Sequence, residues 1–320
     1  MHDPFAARRT TWVLCCTGEM VAAELRGLLE RYARPDLTTA IDGVRICRAD
    51  HPVPPSSSMS GTVLAVVAQG SKRLAVGDHV YEYGPGQYLV ASVDLPATGQ
   101  FVDAVPGRPA LAFGLTLEPA AIAELLLQAG PGDLPRSPGI VRSGVAVTDA
   151  PDELLDAIVR LLRLLNRPGD RRVLVPLVKR EILWRLMTGE QGDIVRQLGL
   201  ADSSLAHIRR AVQWIRENYN RPFRVEEVAR LSGMSVPAFH KNFQAVTGMA
   251  PIQFQKNLRL QAARLLLASR PHDVTGVGQS VGYDNPSQFS REYRRQFGAP
   301  PSVDAARMRG GAAPAPAALP

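Results

Sequence analysis

Two stretches of the chain are variants of one another: VEEVARLSGMSVPAFHKNFQAVTGMAP, Val225–Pro251, and VTGVGQSVGYDNPSQFSREYRRQFGAPP, Val274–Pro301. Val225, Val228, Ala229 and Gly233 of the first have the spacing of Val274, Val277, Gly278 and Gly282 in the second. The second copy then carries one additional residue in its turn. Beyond it Phe239, Phe243, Gly248 and Pro251 match Phe289, Tyr293, Gly298 and Pro301. Each unit reads as a short helix, a Gly-centred turn and a second helix. Val225, Val228 and Ala229 share one helical face, and Gly233 suits a left-handed helix end. Ser235 and Asn285 are good N-caps, and Pro286 suits a first helical position. Two helices joined by a turn of this length are the helix-turn-helix signature.

On a wheel of 100° per residue, Phe289, Tyr293 and Phe297 lie together. Ser287, Gln288, Arg291, Arg294 and Arg295 lie on the other side. In the first copy Phe239, Phe243 and Val246 form the apolar stripe, while Pro237, His240, Lys241 and Gln244 point away from it. The aromatic faces are expected in the core. The polar faces then offer forked guanidinium and amide groups suited to phosphates and base edges. Between the copies APIQFQKNLRLQAARLLLAS reads as one helix of roughly 27 Å. That length can hold two reading helices near adjacent major grooves, ~34 Å apart. Ser203–Tyr219 supplies a leading amphipathic helix.

Charge follows the same division. From Asp202 to Arg309 there are sixteen Lys/Arg and eight Asp/Glu; the rest of the chain carries 21 and 22, although the whole is +7. A basic segment attached to a neutral one points to a polyanion.

These residues resemble the AraC/XylS family of bacterial transcription factors over about Leu205–Met308. The sharpest parts are VEEVARLSGMSVPAFHKNFQAVTGMAPIQF, RLQAARLLL and VGYDNPSQFSREYRRQFGAPPS. The resemblance implies a seven-helix domain with two helix-turn-helix units joined by a linker helix. It places base-reading positions on Pro237, His240 and Lys241, and on Ser287, Gln288 and Arg291. This chain departs from the family twice. Pro237 has no side-chain donor, and Gly278 stands where alanine is usual. Gly276 and Gly278 are each expected to cost their helix about 0.5–1 kcal/mol relative to alanine, leaving the second unit the more mobile.

Ahead of this domain, Gly18–Ala33 reads as a helix. From Thr38 to Leu117 short β-branched and aromatic runs alternate with Gly/Pro turns, among them a hairpin at Gly77-Asp78. Helices follow at Glu118–Gln128, Asp152–Leu165 and Val173–Thr188, with a Gly/Pro-rich connection at 131–147 and an interdomain connection at 189–203. TTAIDGVRICRADHPV, LAVVAQGSKRLAVGDHVYEYGPGQYLVASVDLPATGQ and RPALAFGLTLEPAAIAELL are similar to the cupin-like companion domain of one branch of the family. That similarity implies a role in sensing or self-association.

The expected fold class is α+β: an N-terminal cupin-like β-barrel with flanking helices, residues 1–190, and an all-α DNA-binding domain, residues 203–309. Residues 310–320 are a Pro/Ala tail expected to be disordered. The expected function is a sequence-specific DNA-binding transcription regulator that reads two adjacent major grooves with helices 236–247 and 286–297. Its expected partners are double-stranded promoter DNA, RNA polymerase, a small-molecule effector and a second copy of the chain, paired through the leucine-rich N-terminal helices. Activator or repressor action and the effector's identity stay open.

The rival reading is a cupin-type enzyme with a basic accessory domain. A metal-binding cupin needs two His separated by one residue, then a Glu and a later His; GDHVYEYGPG offers only His79 and Glu82. No metal, cofactor or catalytic residue is therefore expected. The three cysteines, Cys15, Cys16 and Cys47, make neither a disulfide framework nor a four-ligand site; Cys15-Cys16 is read as structural or incidental, and a sensing role stays open. No apolar run reaches the ~20 residues of a membrane span, and the start lacks the apolar core of a secretory signal. The expected setting is the cytoplasm.

Overall fold

The computed structural model describes residues 5–52, 55–135, 143–200, 203–222 and 224–310. All but the first residue of the expected tail fall outside these.

Among the described residues the N-terminal half holds nine strands: β1 (Val44–Ala49), β2 (Ser56–Met59), β3 (Val63–Gln69), β4 (Lys72–Val76), β5 (His79–Tyr83), β6 (Gln87–Ala91), β7 (Pro96–Phe101), β8 (Ala110–Thr116) and β9 (Val145–Asp149). They form one sheet in the order β1-β8-β3-β6-β9 and another in the order β2-β7-β4-β5. From β1 to β4 the chain alternates between the two sheets, so they close on each other as a flattened barrel. The expected hairpin is present: Val76 pairs with His79. Gly77 takes φ +56, a left-handed angle at the first of two turn residues that glycine adopts without steric cost.

Strand β3 is buried along both faces. One face, with Leu64 and Val66, lies under α1 (Phe5–Tyr32), whose Leu25 and Leu29 are buried against it. Across the register Cys47 pairs with Ala112 and Arg45 with Gly114, and these share the face turned to the four-stranded sheet. There Cys47 meets the field of Lys72 on β4. Lys72 is 3% exposed, and burial pushes its ammonium down to about 8. Its Nζ lies 5.1 Å from the Phe101 ring centroid.

Around the barrel pack α2 (Pro119–Gln128), α3 (Asp152–Arg163), α4 (Pro168–Thr188) and α5 (Gly192–Gly199). Four elements depart from expectation, the simplest being α4, which starts at Pro168 rather than Val173. Helix α1 begins at Phe5 rather than Gly18; the side chains of Cys15 and Cys16 lie outside the described ones. The connection at 131–147 ends in β9, which pairs with β6 and completes the sheet edge. The connection at 189–203 holds α5, because Ile194, Val195 and Leu198 supply a buried stripe against α2. A two-turn apolar stripe beside Gly189 and Gly192 is too short to stand out by periodicity.

Among the described residues the C-terminal half is seven helices: α6 (Ser204–Glu217), α7 (Val225–Leu231), α8 (Val236–Thr247), α9 (Pro251–Ser269), α10 (Val274–Ser280), α11 (Pro286–Phe297) and α12 (Pro301–Gly310). Hydrophobic packing does not divide where the composition does. One continuous core runs from the barrel through α3–α6 into Phe239, Phe243, Val246, Phe254 and Leu258. A second core gathers Leu260, Ala263, Leu267, Val277, Val281, Tyr283, Phe289, Tyr293 and Ala305. The boundary falls within α9, between Leu258 and Leu260.

Candidate nucleic-acid interface

The two helix pairs α7–α8 and α10–α11 share their turn chemistry. Gly233 and Gly282 follow the first helices at φ +71 and +91, and Gly248 and Gly298 close the second at φ +71 and +75. These angles are left-handed, where glycine stops a helix cheaply. The starts differ. Asn285 Oδ1 accepts from the Ser287 and Gln288 backbone N–H groups at 2.9 and 3.1 Å, whereas the Ser235 side chain accepts no cap bond. In the first unit Pro237 lies in the opening turn of α8, where a missing N–H leaves no broken bond.

The aromatic stripes are buried. Phe239 and Phe243 pack as tilted rings at 5.3 Å, and Phe243 meets Phe254 edge-on at 5.4 Å. In the second unit Phe289 packs between Tyr283 at 5.2 Å and Tyr293 at 5.6 Å. Such pairs add about 0.5–1.5 kcal/mol beyond area burial. With these rings inward, Pro237, His240, Lys241 and Gln244 on α8 are exposed, as are Ser287, Gln288, Arg291, Arg294 and Arg295 on α11. Lys241, Arg291, Arg294 and Arg295 form no ion pair among the described residues, so their cations face outward uncompensated. Gln244 is set apart from the rest of its helix. It lines a cleft of ≈ 520 Å³ with Gly77, Asp78, Pro96 and Thr98 of the barrel, so a barrel wall stands beside it.

The glycines of α10 have a steric reason. A Cβ on Gly278 would lie 3.0 Å from Phe289 Cδ1, so its absence lets the Phe289 ring approach α10. A Cβ on Gly276 would strike the Asp273 carboxylate, which caps α10 by accepting from Gly276 N–H at 2.8 Å. Reading both glycines only as lost helix stability missed these contacts.

Polar residues that carry no signal in the repeat hold the second unit together. Arg259 on α9 donates to the Tyr219 and Gly282 carbonyls, each at 2.7 Å. Tyr293 Oη and Arg264 Nε both donate to Asp304 Oδ2, at 2.8 and 2.9 Å. At the edge of the exposed side of α11, Glu292 is mostly covered and accepts from Lys256 Nζ at 2.8 Å, from Tyr283 Oη at 2.8 Å and from Gln288 Nε2 at 3.1 Å. Partial burial alone would raise the Glu292 carboxyl; these three donors hold it below its ordinary value. Only the four-residue spacing from Gln288 to Glu292 was readable beforehand.

The barrel touches the first unit directly. Gly144 N–H donates to Val246 O at 2.8 Å, Arg216 of α6 pairs with Asp94, and a Cβ on Gly77 would lie 2.6 Å from Gly248 O. Beside this junction a cleft of ≈ 880 Å³ opens at the barrel mouth, lined among others by Arg45, Asp94, Arg209, Arg210 and Arg216. Arg209 is half-buried, and burial lowers its guanidinium from its ordinary value.

His79 and Glu82, the residues that raised a metal question, lie three apart on β5 and so on opposite faces. Glu82 is engaged by Arg73 at 2.9 Å, and His79 stacks on Tyr81. Among the described residues no cluster of three or more His, Cys, Asp or Glu could hold a metal ion, and no helix is long and apolar enough to cross a membrane.

A sequence profile described as the AraC-type transcriptional regulator N-terminus matches residues 40–194, and one described as a helix-turn-helix domain matches residues 228–307. A probable AraC family transcriptional regulator from Rhodopseudomonas palustris is 36% identical over 32% of this chain and 96% of its own, with a TM-score of 0.30. The chain belongs to the AraC family. Among curated relatives, the HTH-type transcriptional activator RhaS of Salmonella schwarzengrund is 26% identical over 147 residues, 45% of this chain and 51% of that protein. The chain thus spans about half the length of the curated relatives it matches. Apo ToxT from Vibrio cholerae shares the fold: 9% identity, 84% of this chain and 99% of that one, TM-score 0.52. The rival enzyme reading is not favoured by any of these similarities.

Proposed function

We propose that this AraC-family protein is a sequence-specific double-stranded DNA-binding regulator of transcription, working in the cytoplasm. The observation that carries the reading is the duplicated unit whose aromatic face is buried and whose basic, amide-bearing face is exposed. Lys241, Arg291, Arg294 and Arg295 supply phosphate affinity. His240, Gln288, Arg291 and Ser287 select bases, Pro237 packs against a thymine methyl, and Gln244 reads only where the barrel wall leaves it room. Genome-wide mapping of bound sites, followed by gel shifts across salt concentrations, tests this. The expected result is a recurrent two-part site with affinity falling steeply in salt. Binding without sequence preference would refute it.

The signal acts at the barrel mouth. Arg45 from the barrel and Arg209 and Arg216 from α6 surround the cleft against the single carboxylate of Asp94, so the fitting effector is a small anion. Pairing of two copies through α2 and α4 is supported by the exposed side chains of Leu127, Val173 and Leu177; light scattering on the full chain should find a dimer. RNA polymerase is the partner that converts DNA occupancy into a change of transcription.

A further inference from the structure

Gln288 stands one turn ahead of Glu292 on α11, and its Nε2 donates to Glu292 Oε1 at 3.1 Å. A carboxylate only accepts, so this bond decides which end of the amide turns inward. The nitrogen faces Glu292. The remaining N–H and the Oε1 are left as a donor–acceptor pair on the exposed side, beside Arg291 and Arg295. Glu292 is itself fixed. Its side chain is 12% exposed, and it is tied to α9 through Lys256 and to the preceding turn through Tyr283. Lys256 also offsets its charge, so it does not confront a phosphate as a free anion.

We propose that Glu292 is a positioning residue for base recognition, holding the Gln288 amide as a fixed fork that selects adenine at the base pair facing it. Adenine presents an acceptor, N7, and a donor, the N6 amino group, side by side in the major groove. Guanine presents two acceptors there, so a fixed fork sets its own oxygen against O6. An untethered glutamine amide can turn over and accommodate other edges; a tethered one discriminates. The inference rests on Gln288 being a base contact, as proposed above.

The test uses the full chain and a randomised double-stranded DNA library. Bound sequences are selected for the wild type, Gln288→Ala, Glu292→Met, Glu292→Ala and Glu292→Gln, and affinities are then measured with each of the four bases at the implicated position. The wild type should prefer adenine at one position of one half-site, and Gln288→Ala should erase that preference alone. Glu292→Met should lower the adenine-over-guanine ratio about fivefold, the worth of one hydrogen bond, with other positions unchanged. Glu292→Gln keeps an acceptor for the Gln288 amide and should retain most of the preference. Glu292→Ala, a strong helix former, gives the same reading as Glu292→Met should the latter fold poorly. If the Glu292 variants weaken binding evenly at every position, Glu292 is a strut between α11 and α9 and the proposal is overturned. A preferred base other than adenine overturns it equally. An unchanged profile in Gln288→Ala would instead remove the base contact itself.

Discussion

The two helix-turn-helix units are near-copies in sequence and differ in what holds them. The first shares its hydrophobic core with the barrel, and α8 receives a hydrogen bond from Gly144 at its last turn. The second has a small core of its own, braced by buried polar contacts: Asp304 with Tyr293 and Arg264, and Arg259 across two turns. One motif can therefore be stabilised by area or by polar bracing, and the two respond to different perturbations. A unit that shares the barrel's core is placed to feel a change in the barrel, whereas a unit with a separate core keeps its shape whatever the barrel does.

The largest effects should separate the cores. Phe243→Ala is expected to cost about 3–5 kcal/mol, seen by calorimetry and hydrogen exchange as a joint loss of protection in α8 and the barrel. Phe289→Ala should cost as much but loosen only α10–α12; a uniform loss of protection would collapse the distinction between the units. Lys72→Met should stabilise the barrel by about 3 kcal/mol at pH 7, since a Lys held at about 8 against 10.5 is disfavoured by that amount when charged. In the native protein, stability should rise as pH climbs from about 8 to 10.5, where the unfolded chain binds the extra proton. The Lys72→Met gain should fade over the same window in pH-dependent denaturant melts.

Asp304→Asn leaves Arg264 without its buried partner and is expected to cost about 3 kcal/mol, confined to the second unit's exchange rates. Arg291→Ala should weaken specific binding by about 1–3 kcal/mol with little change in melting temperature. The same affinity in a gel shift would remove Arg291 from the interface. Smallest of all, Gly278→Ala should destabilise by about 1 kcal/mol, because Phe289 must give way. An increase in stability would mean that the ring has room and that helix propensity governs the site.

Much of this was legible in the chain, and for identifiable reasons. The repeat announced itself because left-handed glycines and i, i+4 aromatics leave a fixed spacing. The Gly77-Asp78 hairpin was legible for the same reason. The polar braces were not. Arg259, Arg264 and Asp304 look like any charged residue on a helix, and only tertiary packing tells which of them is buried. Helix α5 and strand β9 escaped because each is short, and their apolar faces acquire meaning only against α2 and β6. Gly278 was misread because helix propensity is local, whereas the approach of Phe289 comes from eleven positions further along the chain. His240, Lys241, Gln288 and Arg291 could be set on one side of a wheel, but the barrel wall beside Gln244 could not.

The junction between the barrel and the first unit combines a shared apolar core with two polar contacts, Gly144–Val246 and Asp94–Arg216, and its strength limits what can cross it. A molecule in the barrel mouth alters DNA affinity only to the extent that it distinguishes the docked arrangement from an undocked one. By reciprocity, DNA must alter that molecule's affinity by the same factor. The backbone hydrogen bond and the partly exposed ion pair alone are worth about 1–3 kcal/mol, roughly five- to 150-fold, and the shared core adds to that. A junction built on shared packing would couple signal and DNA in proportion to how far that packing shifts, so the apolar contacts around Val246 would set the range over which one site follows the other.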